Sequence, residues 1–340
     1  MSGVEDPLLT ICMPTYRRPD LLARALASLH DSDVDVEAEV EIIVSDNAPE
    51  AGESVATPWL ARWGGPTRYF GNATDIGAVE NFNQCINQAR GQFVMLLHDD
   101  DYLLPGALSR ILSVVRDPGL VRCFLFGVLV VDGDGHILRQ QGGHTAEQLS
   151  PEAALRQVLT NSSLVRIPAL VVNREAILDV GAFDVSVGNP TDFDLFVRLF
   201  GRFGFNEVAE TVSAYSVHEA AQTSSMFRAD MIDVLMTIFD RAVAMEILPE
   251  RVVRQCQVEW FHQFVLGGAY RHLRVGETAE AARIMGLLDL PAIKQLGRSR
   301  RWRSIRLVFS ILVRLPPLAS RLLSRAIRRL GLERRIWTAL

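Results

Sequence analysis

FVMLLHDDDYLLPGAL, residues 93–108, runs apolar from Phe93 to Leu97, meets a histidine and three successive aspartates, and turns apolar again at Leu103. A short apolar run closed by polar residues suits a buried strand, and LPGALSRILSVV behind it suits the helix that follows such a strand. Carboxylates packed this closely repel and raise one another's pKa unless a cation sits among them. His98, Asp99, Asp100 and Asp101 therefore mark a candidate site at a strand end.

Outward from that stretch, β-rich and helical segments alternate. ENFNQCINQARG, just upstream, reads as a helix stopped by Gly91. LLTICM is a strand, and RPDLLARALASLH after it carries Leu21, Leu22, Ala25, Leu26 and Leu29 at helical spacing. EVEIIVSDNAP is a second strand ending in polar residues, and VLVVDGDGHILR holds Asp-Gly pairs suited to a hairpin turn. The alternation predicts an α/β fold, a mostly parallel sheet flanked by helices. From Met226 onward helical patterns dominate, so the expected division is 1–225 for the sheet domain, 226–297 for a helical extension and 298–340 for a tail. Open α/β sheets bind ligands beyond the carboxyl ends of their strands, which puts Thr15, Asp46, Asn47 and the residues 98–101 on one rim.

A chain of 340 residues with 49% hydrophobic and 22% charged residues has globular composition and room for more than one unit. Cys12, Cys85, Cys123 and Cys256 lack CxxC or Cys/His spacing, so neither a zinc site nor a disulfide framework is expected, in keeping with a reducing cytoplasm. The amino terminus lacks the pattern of a secretory signal, and no apolar run approaches the roughly 20 residues that span a bilayer. The net charge of −5 conceals an asymmetry. Residues 298–340 hold twelve arginines against one acid, Glu333, leaving 23 basic and 39 acidic residues for the rest. An acidic body with a basic tail implies an anionic partner for the tail.

Four segments, TICMPTYRRPDLLARALASL, EIIVSDNAPE, GNATDIGAVENFNQCINQARGQFVMLLHDDDYLLPGAL and LVVNREAILDVGAFDVSVGNPTDFDLFVRLF, together resemble a family 2 glycosyltransferase of the GT-A fold over residues 8–220. The resemblance implies a Rossmann-like sheet and a nucleotide-sugar donor. In that family a DxD motif holds a divalent cation, Mg2+ or Mn2+, on the donor diphosphate, and hard oxygen ligands on a short turn suit such an ion. Aligned through Leu97 and Pro105, the motif's first position is His98 and its last is Asp100, so the strict DxD is not kept. Asp100 is then the leading metal ligand, with Asp101 next and Asp99 toward the nucleotide; His98 is either a ligand or a group behind one.

By the same resemblance Asp46 accepts a hydrogen bond from the imide N–H of uracil or thymine, flanked by Thr15 and Asn47. A turn aspartate after a strand is the structural alternative. Arg17 and Arg18 either reach donor phosphates or lie in solvent. The family's Glu-Asp-x-Asp reads Thr191-Asp192-Phe193-Asp194 here, with Arg198 also matching. That makes Asp192 the general base of a single inverting displacement, with Asp194 and Arg198 supporting the acceptor site. Alternatively the two aspartates cap the helix beginning near Phe193. His218 matches a histidine that closes on the diphosphate or metal.

RSIRLVFSILVRLPPLASRLLSRAIRRLGL interleaves arginines with apolar residues and is broken by Pro316 and Pro317, which predicts two amphipathic helices and a kink. Three surfaces compete for them: an anionic membrane, the body of the protein, and nucleic acid, which is not expected without a recognised motif. The functional expectation is an inverting hexosyltransferase, peripheral on the inner face of the cell membrane. It would carry a sugar, with a deoxyhexose one candidate, from UDP or dTDP to a glycan or polyprenyl-linked glycan in polysaccharide biosynthesis. The alternative is a catalytically inactive nucleotide- or glycan-binding protein of the same fold.

Overall fold

The computed structural model describes residues 6–31, 34–217, 226–297 and 300–329. The chain forms two compact units, Met1–Ala154 with Val165–Ala221, and Leu155–Leu164 with Gln222–Leu340.

The first unit follows the alternation of the sequence. Its elements are β1 (Leu9–Thr15), α1 (Pro19–His30), β2 (Val40–Asp46), α2 (Pro49–Leu60), β3 (Thr67–Gly71), α3 (Ala78–Gln88), β4 (Phe93–Leu96), β5 (Tyr102–Leu103) and α4 (Ala107–Val115). They continue through β6 (Cys123–Asp132), β7 (Ile137–Gln141), β8 (Glu147–Leu149), β9 (Leu170–Asn173), α6 (Arg174–Asp179), α7 (Thr191–Phe203) and β10 (Phe205–Val217); α5 (Pro151–Thr160) belongs from Leu155 onward to the second unit. The sheet runs β3-β2-β1-β4-β9-β6-β10-β5. Its β3-β2-β1-β4 half is parallel, as is β6–β10, while β9 and β5 join antiparallel. The sheet is therefore mixed, and the parallel pattern expected from sequence holds in its N-terminal half. Asp132 accepts the N–H groups of Asp134 and His136, and β6–β7 is the hairpin expected at the Asp-Gly pairs.

Strands β1 and β2 are buried along their whole lengths, as strands covered on both faces must be. Helix α1 covers one face with Leu22, Ala25, Leu26 and Leu29 against Ile11, Met13, Ile42 and Val44. One buried charge interrupts the apolar run of β2. Glu41 is fully buried, and its carboxylate accepts from Thr10 Oγ1 at 2.7 Å, the backbone N–H of Arg90 at 2.9 Å and the Arg68 guanidinium at 2.6 Å. A buried charge persists only when paired and hydrogen-bonded in this way.

Register positions the site. Thr15 lies beside Asp46, and β4 ends at Leu96 opposite Cys12. Residues 98–101 therefore leave the sheet where β1 and β2 end, on one carboxyl edge.

The second unit is helical: α8 (Ala229–Ala244), α9 (Glu250–Val275), α10 (Thr278–Gly286), α11 (Pro291–Gln295), α12 (Arg300–Leu312) and α13 (Pro317–Arg329). Helix α9 is buried over much of its 26 residues and ends at Gly276, whose φ of 90° suits only a residue without a side chain. Trp302 of α12 is fully buried, stacks on His262 and donates to Glu259 at 2.7 Å. Pro317 opens α13, so the proline pair separates the two expected helices. No helix among the described residues is long and apolar enough to cross a membrane.

Arg68→Ala is expected to lower the unfolding free energy of the first unit by about 3 kcal/mol in urea denaturation, because it strands a buried carboxylate. Adding Glu41→Gln to that variant should recover part of the loss.

Candidate functional site

The aspartate turn is tied down from three directions. Thr15 Oγ1 donates to Asp99 Oδ2 at 2.8 Å, and Arg18 spans Asp99 Oδ1 at 3.3 Å and Asp100 Oδ2 at 3.1 Å. The backbone N–H of Ser216, near the end of β10, donates to Asp101 Oδ1 at 2.9 Å. Arg24 of α1 donates to the carbonyl oxygen of Asp100 and, at 3.3 Å, to Ser216 Oγ, with its guanidinium over the Tyr102 ring. Short strand β5 pairs with β10 at Ser213 and Ala214, which carries Asp101 to Ser216.

Two polar atoms in this turn are buried without a hydrogen-bond partner, Asp101 Oδ2 and His98 Nε2. One ligand atom from each of His98, Asp100 and Asp101 falls within 4.8 Å of the others, so the three side chains could hold a metal ion. An acidic, oxygen-rich set with two unsatisfied atoms fits a hard divalent cation. Burial pushes the Asp101 carboxyl well above the usual range, and the neighbouring Asp100 charge adds to it. Burial raises Asp99 as well, partly offset by the Thr15 hydroxyl. A second such group among the described residues, Asp132, Asp134 and His136, is the turn of the β6–β7 hairpin, where Asp132 is engaged in the turn's own hydrogen bonds.

The second patch is built at the ends of β1 and β2. Asp46 is buried; Oδ1 accepts the Ala48 N–H at 2.8 Å and Oδ2 the Tyr69 hydroxyl at 2.9 Å. A Cβ added to Gly52 would lie 1.7 Å from Asp46 Oδ2, so glycine is what lets α2 approach this carboxylate. Burial and the Asp46 charge push the Tyr69 phenol upward. Asn47 donates to Asp75 and to the Gly77 carbonyl and accepts from Asn72. Asn81, buried on α3, donates to the backbone carbonyls of Thr15 and Ser45, locking the two strand ends together.

The third patch is the start of α7. Asp192 stands partly exposed in its first turn, Asp194 wholly buried. Neither is the N-cap residue, which is Pro190, but Asp192 Oδ1 accepts the first-turn N–H of Phe193 at 2.7 Å. Arg198 brings Nε to 2.8 Å and Nη2 to 2.7 Å from the one oxygen Asp194 Oδ2, and donates onward to the carbonyls of Val180 and Ala182. This pair anchors α7 on the loop after α6. Desolvation raises the Asp192 carboxyl, eased by the Phe193 N–H and by the charges of His98 and Arg166. His98 stacks on Phe82, 5.0 Å between centroids, and Arg166 lies over the Tyr215 ring at 4.8 Å.

Thr15, Asp46, Asn47, His98, Asp99, Asp100 and Asp101 thus lie on one sheet edge. Arg17 projects over Tyr16 with a φ of 54°, and Arg18 is the arginine that reaches the aspartates. His218 lies outside the described residues. Arg24, Tyr69, Asn72, Asp75, Asn81, Arg166, Tyr215 and Ser216 escaped the sequence reading. Their partners are remote: 66 positions separate Asn81 from Thr15, and 192 separate Arg24 from Ser216.

Comparison with known proteins agrees with this geometry. The sequence model of Glycosyl transferase family 2 matches residues 10–181. An uncharacterized protein of Mycobacterium tuberculosis is 27% identical over 240 residues, covering 67% of this chain and 73% of its own length. The GalNAc(5)-diNAcBac-PP-undecaprenol beta-1,3-glucosyltransferase of Campylobacter jejuni is 30% identical over 143 residues, 42% of this chain and 44% of that protein. The matched region thus spans under half of that relative. S. aureus TarS in complex with UDP-GlcNAc superposes with a TM-score of 0.64 at 15% identity, covering 95% of this chain and 92% of that one. The mannosyltransferase PcManGT from Pyrobaculum calidifontis, in complex with GDP-Man and Mn2+, gives 0.54 at 14% identity, over 98% of this chain and 88% of that one. These likenesses define the fold class, a GT-A α/β sheet followed by a helical region. The chain belongs to glycosyl transferase family 2 and is a glycosyltransferase.

Asp194→Ala should cost about 3 kcal/mol of stability, since it leaves the largely buried Arg198 without its counter-ion; urea unfolding measures it. A raised carboxyl pKa means that the folded state holds a proton which the unfolded chain releases. Its contribution is full below the unfolded pKa of about 3.9 and is lost as pH rises through the folded value. In chelator, Asp101→Asn should therefore grow more stable relative to the parent chain between pH 4 and pH 8, as read by thermal melts.

Proposed function

We propose that this glycosyltransferase moves a sugar, with a deoxyhexose one candidate, from a UDP- or dTDP-sugar to a hydroxyl of a glycan or polyprenyl-linked glycan, with inversion. The carrying observation is that the Asp46 patch, the carboxylate turn and Asp192 lie together in one unit. Thr15 belongs to two of them, beside Asp46 in the sheet and bonded to Asp99.

In this reading Asp46, fixed by Ala48 and Tyr69, offers a free lone-pair direction to the imide N–H of the base, and Asn47 and Thr15 border it. His98, Asp100 and Asp101 would hold Mg2+ or Mn2+, which when bound supplies Lewis-acid stabilisation of the departing diphosphate. The acceptor oxygen bonds to the anomeric carbon as the bond to the diphosphate oxygen breaks, and its proton passes to Asp192. A base with a raised pKa holds that proton better, and positioned base catalysis is worth about a hundred- to ten-thousand-fold. Asp194 and Arg198 serve by orienting α7. The lipid-linked acceptor is favoured by the undecaprenol-linked substrate in the name of the Campylobacter relative.

Such an acceptor places the work at the inner face of the cell membrane, and the last two described helices suit that surface. Neither α12 nor α13 contains an acidic residue, and Leu307, Ile311, Leu318 and Leu322 are exposed at 64%, 54%, 69% and 58%. Basic and apolar residues on one helix suit anionic headgroups, at about 1 kcal/mol per basic residue near the surface.

Calorimetry with UDP and dTDP, with and without Mn2+, tests the donor site. Metal-dependent binding of one nucleotide, lost in Asp100→Ala, is expected; no binding of either by folded protein would refute the reading. Gly52→Ala should abolish the same binding while the fold survives. Asp192→Asn should lower kcat by a factor of about 10² to 10⁴ with nucleotide affinity intact. Pelleting with phosphatidylglycerol vesicles should fall for Leu307→Glu with Ile311→Glu; equal pelleting excludes the helix from the membrane surface.

A further inference from the structure

The Arg18 guanidinium occupies a position that the cation reading leaves contested. It lies 3.1 Å from Asp100 Oδ2 and 3.3 Å from Asp99 Oδ1, and Asp100 is also one of the three residues whose ligand atoms cluster for a metal. A monovalent and a divalent cation at one carboxylate repel, and each lowers the other's affinity for it. We propose that Arg18 is an exchangeable counter-ion: it neutralises the aspartate turn in the metal-free protein, yields Asp100 to the divalent cation, and then binds the donor diphosphate. This inference rests on the metal reading of the site.

The local structure permits such an exchange in the side chain alone. The Arg18 carbonyl accepts the Leu22 N–H at 3.0 Å as the first bond of α1, and Pro19 opens that helix. Before it, Arg17 is held at a φ of 54°, a left-handed conformation costly for a residue with a side chain. The backbone of the loop is thus fixed at both ends. The Arg18 side chain is 37% exposed, so its torsions can turn without unpacking a core. Arg24 is placed differently. It holds a backbone carbonyl and a hydroxyl, Asp100 O and Ser216 Oγ, and so braces the turn whichever cation is present. A guanidinium released from two carboxylates is a planar fork of donors matched to phosphate oxygens, which a lysine would not be.

The test is binding of Mn2+ alone, with no nucleotide, followed by the unbound-ion signal in electron paramagnetic resonance. Arg18→Ala should bind Mn2+ about tenfold more tightly than the parent chain. It should nevertheless bind the preferred nucleoside diphosphate in Mn2+ more weakly, by about tenfold. Arg17→Asn removes the same charge at a residue type tolerant of positive φ, and should change Mn2+ affinity by no more than about twofold. Arg18→Lys should hold Mn2+ affinity near the parent value while still losing diphosphate affinity. Unchanged or weaker Mn2+ binding in folded Arg18→Ala overturns the exchange, as does an equal gain in Arg17→Asn, which would be a general charge effect. If neither the parent chain nor Arg18→Ala binds Mn2+, the metal reading itself falls and the exchange with it. Nucleotide binding without metal that needs Arg18 would instead make the arginine a permanent replacement for the cation.

Discussion

The structure turns on negative charge held out of water at the carboxyl end of β4. Three consecutive carboxylates there are costly to ionise, and burial sets the protonation of Asp99 and Asp101 against their ordinary values. Each nearby element supplies something that makes the charge tolerable: β1 a hydroxyl, Arg18 at the cap of α1 and Arg24 within it a guanidinium group each, β10 a backbone N–H. Asp101 Oδ2 and His98 Nε2 remain without a bond. Natural structures leave few such atoms, and their presence at a strand end, in a family whose chemistry transfers sugars, is where a functional group is expected to compromise stability.

The same economy appears at the neighbouring strand ends. Asn81 donates its amide to the carbonyls of Thr15 and Ser45, the first of which also accepts the Asn47 N–H, and so keeps the edge of β1 and β2 in one geometry. Asp46 is fixed by Ala48 and Tyr69 and crowded by Gly52, leaving one direction in which a ligand could approach. Preorganisation of this kind lowers what binding must otherwise offset in side-chain ordering.

At the start of α7, two aspartates separated by one residue have opposite fates because helical geometry turns them to different sides. Asp194 faces inward and is consumed by Arg198, and Asp192 stays partly exposed with a raised pKa. Among the described residues Asp192 has no counter-ion of its own, only the Phe193 N–H on Oδ1, and an elevated proton affinity is what a general base requires; the buried pair beside it keeps the helix from shifting.

Much of this was legible in the sequence for a definite reason. Apolar runs of strand length, helical spacing in α1, Asp-Gly at the β6–β7 turn and the proline pair before α13 are local signals, and local signals survive without tertiary context. They located the carboxyl edge, and with it Thr15, Asp46 and the 98–101 turn. Only the tertiary structure decided that the sheet becomes mixed beyond β4, with β9 and β5 antiparallel and β6–β10 parallel, that Arg18 engages the aspartates where Arg17 does not, and that Arg24, Asn81 and Ser216 belong to the site. Those facts rest on contacts between residues tens to nearly two hundred positions apart, and no periodicity in the chain encodes which distant polar group a buried side chain will meet.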